Sequence, residues 1–173
     1  MTGIIIKEAL PGDAAKLLEY ANQIGKESDN LTYGAEGLTV SLEQEMEFLK
    51  KNAEERHSVF YLAWKNDKII GAANLNGLSR RMSHRAGLGI SVLKAEWSKG
   101  IGSMLMQKLI DYANANGIEI INLEVRSDNK AAIHLYQKFG FQTIGTSPAF
   151  FKIGAEYVDF DLMYLDLREG IKQ

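Results

Sequence analysis

Between residues 88 and 125 the chain reads, without a break, as strand, glycine-bearing turn, helix and strand. The helix lies in IGSMLMQKLIDYANANG, where Ile101, Met104, Leu105, Leu109, Tyr112 and Ala113 share one face and Gly117 stands where a helix stops. LGISVL (88–93) before it and IEIINLEV (118–125) after it are apolar runs of strand length. A helix with one apolar face must lay that face on something, and the strands around it supply a sheet.

The other segments extend this unit. Residues 4–9 (IIIKEA) predict a first strand, and Pro11-Gly12-Asp13 opens a helix with Ala14, Leu17, Leu18, Ala21 and Ile24 at helical spacing. Residues 25–39 (GKESDNLTYGAEGLT) are polar and without a period, and read as an irregular loop of the kind that often carries function. Ser41 with Gln44 forms a capping box for a helix to about Glu55, with Leu42, Met46, Leu49 and Ala53 as its apolar side. SVFYLAWK (58–65) and KIIGAANL (68–75) flank Asn66-Asp67 as an antiparallel hairpin. Asn129 to Phe139 predicts a short helix ended by Gly140, and FQTIGT (141–146) with EYVDFDLMYL (156–165) two closing strands. The order β-α-α-β-β-β-α-β-α-β-β predicts an α/β domain with a largely antiparallel sheet. No repeat or linker divides the 173 residues, too few for two comfortable cores, so one domain over 1–173 is expected.

Composition narrows function by exclusion. With no cysteine there is no thiol nucleophile, thiolate metal site or disulfide framework, and the chain suits a reducing, cytoplasmic setting. Twenty Lys+Arg against 22 Asp+Glu, a formal net charge of -2, give no basic field for nucleic acid. The three isoleucines near the N-terminus are too short a run for a signal peptide, and no 18-residue apolar stretch predicts a membrane span. Histidines at 57, 84 and 134 have no metal-ligand spacing, so no metal is expected.

The segment with chemical character is Glu96-Trp97-Ser98-Lys99-Gly100-Ile101-Gly102-Ser103, between strand and helix. A helix start leaves amide N–H groups without partners at a positive dipole end, and glycines let a phosphate approach them; Lys99 and Ser103 can add side-chain donors. A dinucleotide fingerprint would need a small residue at 105, where Leu stands, and a parallel unit that the hairpin denies. A phosphate-binding Walker loop is excluded because the single Gly-Lys pair, Gly25-Lys26, is followed by Glu27. A lone Gly-x-Gly is otherwise an ordinary turn capping a helix.

A second motif changes that reading. LEVRSDNKAAIHLYQKFGF (123–141), taken with ISVLKAEWSKGIGSMLMQKL, resembles the GNAT superfamily of acetyl-CoA-dependent N-acetyltransferases. Gly100 and Gly102 match the family's Gln/Arg-x-x-Gly-x-Gly/Ala loop, with Trp97 where Arg or Gln is usual and Ser98 where many members have glycine. Asn129, Ala132, Tyr136, Gly140 and Phe141 match Asn-x-x-Ala-x-x-x-Tyr-x-x-x-Gly-Phe. GTSPAFFKIGAEYVDFDLM resembles the closing hairpin of members with Gly-x-Tyr-Val-Asp, here with one extra residue in Gly154-Ala155-Glu156-Tyr157-Val158-Asp159, and NLTYG, the Ser41 helix and RRMSHRAGLGISV resemble a broad bacterial branch that names no substrate.

The resemblance implies the GNAT fold, an α+β arrangement with a central mixed, mostly antiparallel sheet flanked by helices, and acetyl-CoA as cosubstrate. It implies direct transfer of acetyl, in a ternary complex, to a primary amine of a small metabolite or a peptide N-terminus; an acyl-CoA-binding sensor or structural subunit without turnover is the alternative. Donor contacts fall to Val92 and Leu93 at the strand end, to Trp97, Ser98, Lys99, Gly100, Ile101, Gly102 and Ser103 in the turn, and to Asn129. Tyr136 would protonate the departing sulfur, since a phenol of ordinary pKa, about 10, keeps its proton at neutral pH. A strand amide within 88–93 would hold the thioester oxygen. Acceptor contacts would come from Asn30 and Thr32 in the loop, from Arg80 and Arg81 as carboxylate grips, and from Asp159, which shares a strand face with Asp161. These groups are expected to flank one end of the sheet.

For a general base His84 is the candidate. Glu96 lies beside the phosphate turn, and Glu124 alternates outward between Leu123 and Val125, so neither is chosen. A base set this weak favours α-amines, roughly one-tenth neutral at pH 7, over lysine amines, neutral about once in 2,500 molecules. Many relatives pair as dimers, which leaves a homodimer open.

Overall fold

Asn66 and Asp67 both adopt positive φ, 49° and 61°, which is the backbone a two-residue hairpin needs if its strands are to keep their twist. They join β2 (Val59–Lys65) to β3 (Lys68–Gly77) in antiparallel register. The computed structural model describes residues 3–168, and within them seven strands form one sheet in the order β1-β2-β3-β4-β5-β7-β6. β1 (Ile4–Glu8), β4 (Arg85–Val92), β5 (Ile120–Arg126), β6 (Gln142–Ile153) and β7 (Glu156–Asp166) complete it. Every pairing is antiparallel except β4 with β5.

Four α-helices cover the sheet: α1 (Ala14–Glu27), α2 (Leu42–Glu54), α3 (Ile101–Asn116) and α4 (Lys130–Lys138). Strand alternation fixes which face each one takes. A Cβ on Gly71 of β3 would meet Leu105 and Ile101 of α3, whereas Ser91, paired with Ala72, turns its hydroxyl to Tyr20 of α1 at 2.8 Å. Helices α1 and α3 therefore lie on opposite faces. Leu62, Leu75, Ile121, Leu105 and Leu109 are fully buried between the layers.

Several boundaries differ from expectation for packing reasons. Helix α1 continues through Gly25, Lys26 and Glu27, expected as loop, because Gly25 is packed against the Gly34 carbonyl and Glu27 takes a hydrogen bond from Gln23. On α2 only Leu49 of the expected apolar side is buried; Leu42, Met46 and Ala53 are exposed, and Glu45 and Asn52 turn inward with Leu49. The i, i+4, i+7 phase through Leu49 decides the buried face when an apolar residue also occurs out of phase. The same rule exposes Met104 on α3 and buries Met106. Strand β4 starts at Arg85 rather than 88, and β6 runs on to Ile153. Strand β6 is the edge of the sheet, where Pro148 costs no ladder bond, and its register shifts between Ser147 and Phe151.

Candidate functional site

Only three residues of β4, Arg85, Ala86 and Gly87, pair with β5, at Ile120, Ile121 and Asn122. Beyond them β5 stays with β7 and β4 stays with β3, so a gap opens between β4 and β5. The hydrogen-bond phase tells which groups face it. Leu93 N–H donates to Ile70 O (2.9 Å) and Leu78 N–H to Arg85 O (3.0 Å), so the odd residues of β4 bond β3. The N–H and C=O groups of Leu88, Ile90 and Val92 therefore face the gap. One of them is already engaged: the Trp97 indole N–H donates to Val92 O at 2.8 Å.

A cavity of about 590 Å³ occupies the gap and is lined from both faces of the sheet. On the α3 face it is bounded by the turn before α3 and by Asn129, Ala132, Leu135 and Tyr136 of α4. The turn has left-handed backbone at Ser98 (φ 61°) and Gly100 (φ 81°), a conformation cheap for glycine and rarer for serine. The first return bond is Met104 N–H to Gly100 O, 3.0 Å; the amides of residues 98–103 donate to no acceptor among the described residues. Six consecutive unpaired N–H groups at a helix start form a receptor for an anion.

Carboxylate and ammonium groups balance beside that turn. Glu96, its side chain 14% exposed, accepts from Lys99 Nζ at 3.1 Å and from Lys65 Nζ at 3.2 Å. Those hydrogen bonds, that of Lys99 foremost, hold its carboxyl below the ordinary range. Lys99 also donates to Ala95 O, so its ammonium is directed at Glu96 and lies outside the cavity lining.

Tyr136 is buried against Phe141, with ring centroids 5.8 Å apart, and burial pushes its phenol up to about 12. Its hydroxyl makes no hydrogen bond among the described residues, yet it is not sealed off, because the single sealed and unpartnered side-chain polar atom among them is Trp64 Nε1. Asn129 caps α4 by accepting from Ala132 N–H at 3.3 Å and also lines the cavity.

On the α1 face the lining comes from the end of α1, from Asn30, Leu31, Thr32 and Tyr33, and from Glu124 and Arg126 of β5. Glu124 points to the same face as Asn122, opposite Leu123 and Val125. Glu27 accepts from Lys94 N–H (2.8 Å), which lowers its carboxyl's pKa and ties α1 to the end of β4. Arg126 grips Asp128 in a fork, Nε to Oδ1 at 3.0 Å and Nη2 to Oδ2 at 2.9 Å.

The structure thus brings together Val92, Trp97, Ser98, Gly100, Ile101, Gly102, Ser103, Asn129, Tyr136, Asn30 and Thr32 around one cavity. It does not bring the others there. Leu93 is buried in the core with its amide on β3. His84, Arg80 and Arg81 sit at the start of β4, the full strand away from the turn; His84 O accepts the Glu119 N–H. The expectation that the arginines flank the same end as the loop is corrected, since β4 runs eight residues between them. Asp159 accepts the Ala149 N–H and Asp161 the hydroxyls of Ser127 and Thr146, so both brace the hairpin rather than line the cavity. Sequence reasoning set Glu124 aside and did not single out Arg126, Tyr33 or Phe160. For Glu124, alternation gave the direction correctly, but "outward" on β5 is into the gap.

Comparison with known proteins agrees with this geometry. The model of the Acetyltransferase (GNAT) family matches residues 16–141. N-alpha-acetyltransferase RimI of Mycobacterium tuberculosis is 31% identical over 98 residues, 56% of this chain and 60% of that protein. L-amino acid N-acetyltransferase AaaT of Escherichia coli is 38% identical over 93 residues, 53% of this chain and 57% of that protein. The match thus spans less than two thirds of either relative. A GNAT-family acetyltransferase from Streptococcus pneumoniae superposes with a TM-score of 0.91 at 34% identity, covering 94% of this chain and 99% of that one.

Proposed function

The chain belongs to the GNAT acetyltransferase family, and we propose that it transfers acetyl from acetyl-CoA directly to the primary amine of a small metabolite or a peptide N-terminus, in a ternary complex. One observation carries this reading: a single cavity runs through the gap between β4 and β5, with a turn of amides on one face and a carboxylate, Glu124, on the other, both without a partner among the described residues. Such a passage lets two substrates meet from opposite sides without a covalent enzyme intermediate. The relatives named for α-amine and amino-acid acetylation support the amine class.

Acetyl-CoA supplies the acyl group as an activated thioester. The amides of residues 98–103 would hold its diphosphate, and Asn129, which lines the same cavity, would contact the pantetheine arm. The N–H groups of Leu88, Ile90 and Val92 are the donors available to the thioester oxygen as it gains charge. Glu124 takes the proton that the amine loses as the C–N bond forms, and the Tyr136 hydroxyl donates to the sulfur as the C–S bond breaks. A phenol at about 12 is a weaker acid than an ordinary thiol near 8.5. Tyr136 therefore stabilises the sulfur anion through its hydrogen bond; the thiolate then takes a proton from solvent while Glu124 gives up to solvent the one it took from the amine, so the transfer closes with a neutral thiol and Glu124 restored.

The test is product formation from acetyl-CoA over a panel of amines, read by mass spectrometry, with Tyr136→Phe as the comparison. The variant keeps the ring against Phe141 and should bind CoA, while kcat falls by something like 10²–10⁴-fold. Near-normal kcat would return Tyr136 to a packing role. Tight CoA binding with no acetylated product would favour the non-catalytic sensor.

A further inference from the structure

The α1 face of the cavity, where the proposed function puts the acceptor, has an unequal set of charges. Among the described residues two carboxylates line it, Glu27 and Glu124, with Glu96 lining the cavity at the turn, and one cation, Arg126; none of the described lysines or histidines lines the cavity. Arg126 is not free to read a substrate. Asp128 occupies its Nε/Nη2 edge with two bonds, and Nη1 leans on the Asp29 carbonyl at 3.4 Å. The Arg126 side chain is 18% exposed and Asp128 67%, so the pair presents to the cavity a guanidinium already neutralised from the solvent side. The other arginines named for carboxylate binding, Arg80 and Arg81, are at the far end of β4.

Resting on the acetyltransferase reading, we infer that the acceptor presents its amine with no carboxylate beside it: an α-amine next to an amide carbonyl, as at a peptide N-terminus or in an amino-acid amide. Such a group brings one positive charge to Glu124 and none to be repelled. A free amino acid brings a second charge of the same sign as Glu27 and Glu124, and the cation that would recognise it has its Nε/Nη2 edge filled by Asp128 and its Nη1 drawn to the Asp29 carbonyl. Asp128 acts as a built-in competitor that turns free amino acids away. It touches neither the acetyl donor's turn nor Tyr136, which makes it a specificity-determining residue.

The experiment titrates the CoA-saturated protein by calorimetry with a set of amino-acid amides, the matching free amino acids, and tripeptides with the same first residue. Binding in this dead-end complex is read whether or not transfer occurs, so failure of the acetyltransferase reading, seen as absence of product in a parallel assay, stays distinguishable. Amides or tripeptides should bind at least tenfold more tightly than the free acids, and tripeptides bound better than amides would point to a peptide N-terminus. Asp128→Asn, at an exposed position, should lower the Kd of the free acids about tenfold and leave the amides unchanged. Free acids binding as well as amides to the unaltered protein would overturn the inference. So would an Asp128→Asn variant, folded by circular dichroism, in which the preference does not move.

Discussion

At the residue scale, Tyr136 and Glu96 are both defined by what surrounds an ionisable group. Burial raises the Tyr136 phenol to about 12, so it stays a neutral donor across the whole working range and adds no limb to a pH profile below pH 10. The sign for stability follows: the unfolded phenol ionises near 10 and the folded one near 12, so its contribution is complete below pH 10 and is lost as pH rises to 12. Glu96 is the opposite case, a carboxylate kept charged by Lys99 and Lys65 next to six unpaired amides. A diphosphate brought to that turn must share those lysines with Glu96. Glu96→Gln should therefore release them and lower the Kd for CoA several-fold at about 0.05 M salt, with most of the gain gone at about 0.5 M. Pantetheine, which has no phosphate, should bind unchanged. Calorimetry decides it; weaker binding of both ligands would make Glu96 a strut that holds the turn in shape. Tyr136 was legible in the sequence because its motif fixes it by spacing. Glu124 was not, because its surroundings depend on two strands parting, which no local pattern records.

At the element scale, the turn and α3 show what a sequence does reveal. Gly100 and Gly102, an amphipathic run and a terminal Gly117 are local signals, and the helix starts at Ile101 and ends under Gly117 as they require. Gly102 is needed for a second reason: a Cβ there would come within 3.2 Å of Leu135 Cδ2, where α4 approaches the start of α3. Gly102→Val should push α4 away and fill the space above the amides, so the variant should fold yet lose its thermal shift with acetyl-CoA. A folded variant that keeps the full shift would remove the diphosphate from this turn. The phase of α2 was less legible. Leu42 and Met46 look like core from spacing alone, but the helix also packs on α1 and β2, and that docking chose the face of Leu49. The full length of β6 is not a local signal either: the apolar pattern of FQTIGT ends at 146, and the strand continues through Pro148 because it is an edge.

At the scale of the whole molecule, the sheet is two ladders, β1 to β4 and β5 to β7, whose strands pair across the join at only three residue pairs. The cavity lies in that join, so a ligand bound there replaces missing sheet contacts as well as filling space. Acetyl-CoA at a hundredfold excess over Kd should add about 2.7 kcal/mol of stability, which for a chain of this size raises Tm by roughly 5–11 °C. The stabilisation should also have a pattern along the chain that global binding would not produce. In β4, the N–H groups of Leu88, Ile90 and Val92 face the gap, whereas those of Gly89, Ser91 and Leu93 are already bonded to β3. Hydrogen exchange followed residue by residue should therefore slow most at 88, 90, 92 and 98–103, with smaller changes at the odd positions of β4, whose exchange is limited by opening of the β3 ladder. With CoA in place of acetyl-CoA, protection of the turn should persist, because the diphosphate is common to both ligands. The β4 amide that holds the thioester oxygen should lose its extra protection, because the acetyl group is gone. That difference would name which of Leu88, Ile90 and Val92 is the donor. Equal slowing of odd and even positions would mean that the ligand tightens the sheet without bonding β4, and would move the oxyanion contact elsewhere in the cavity.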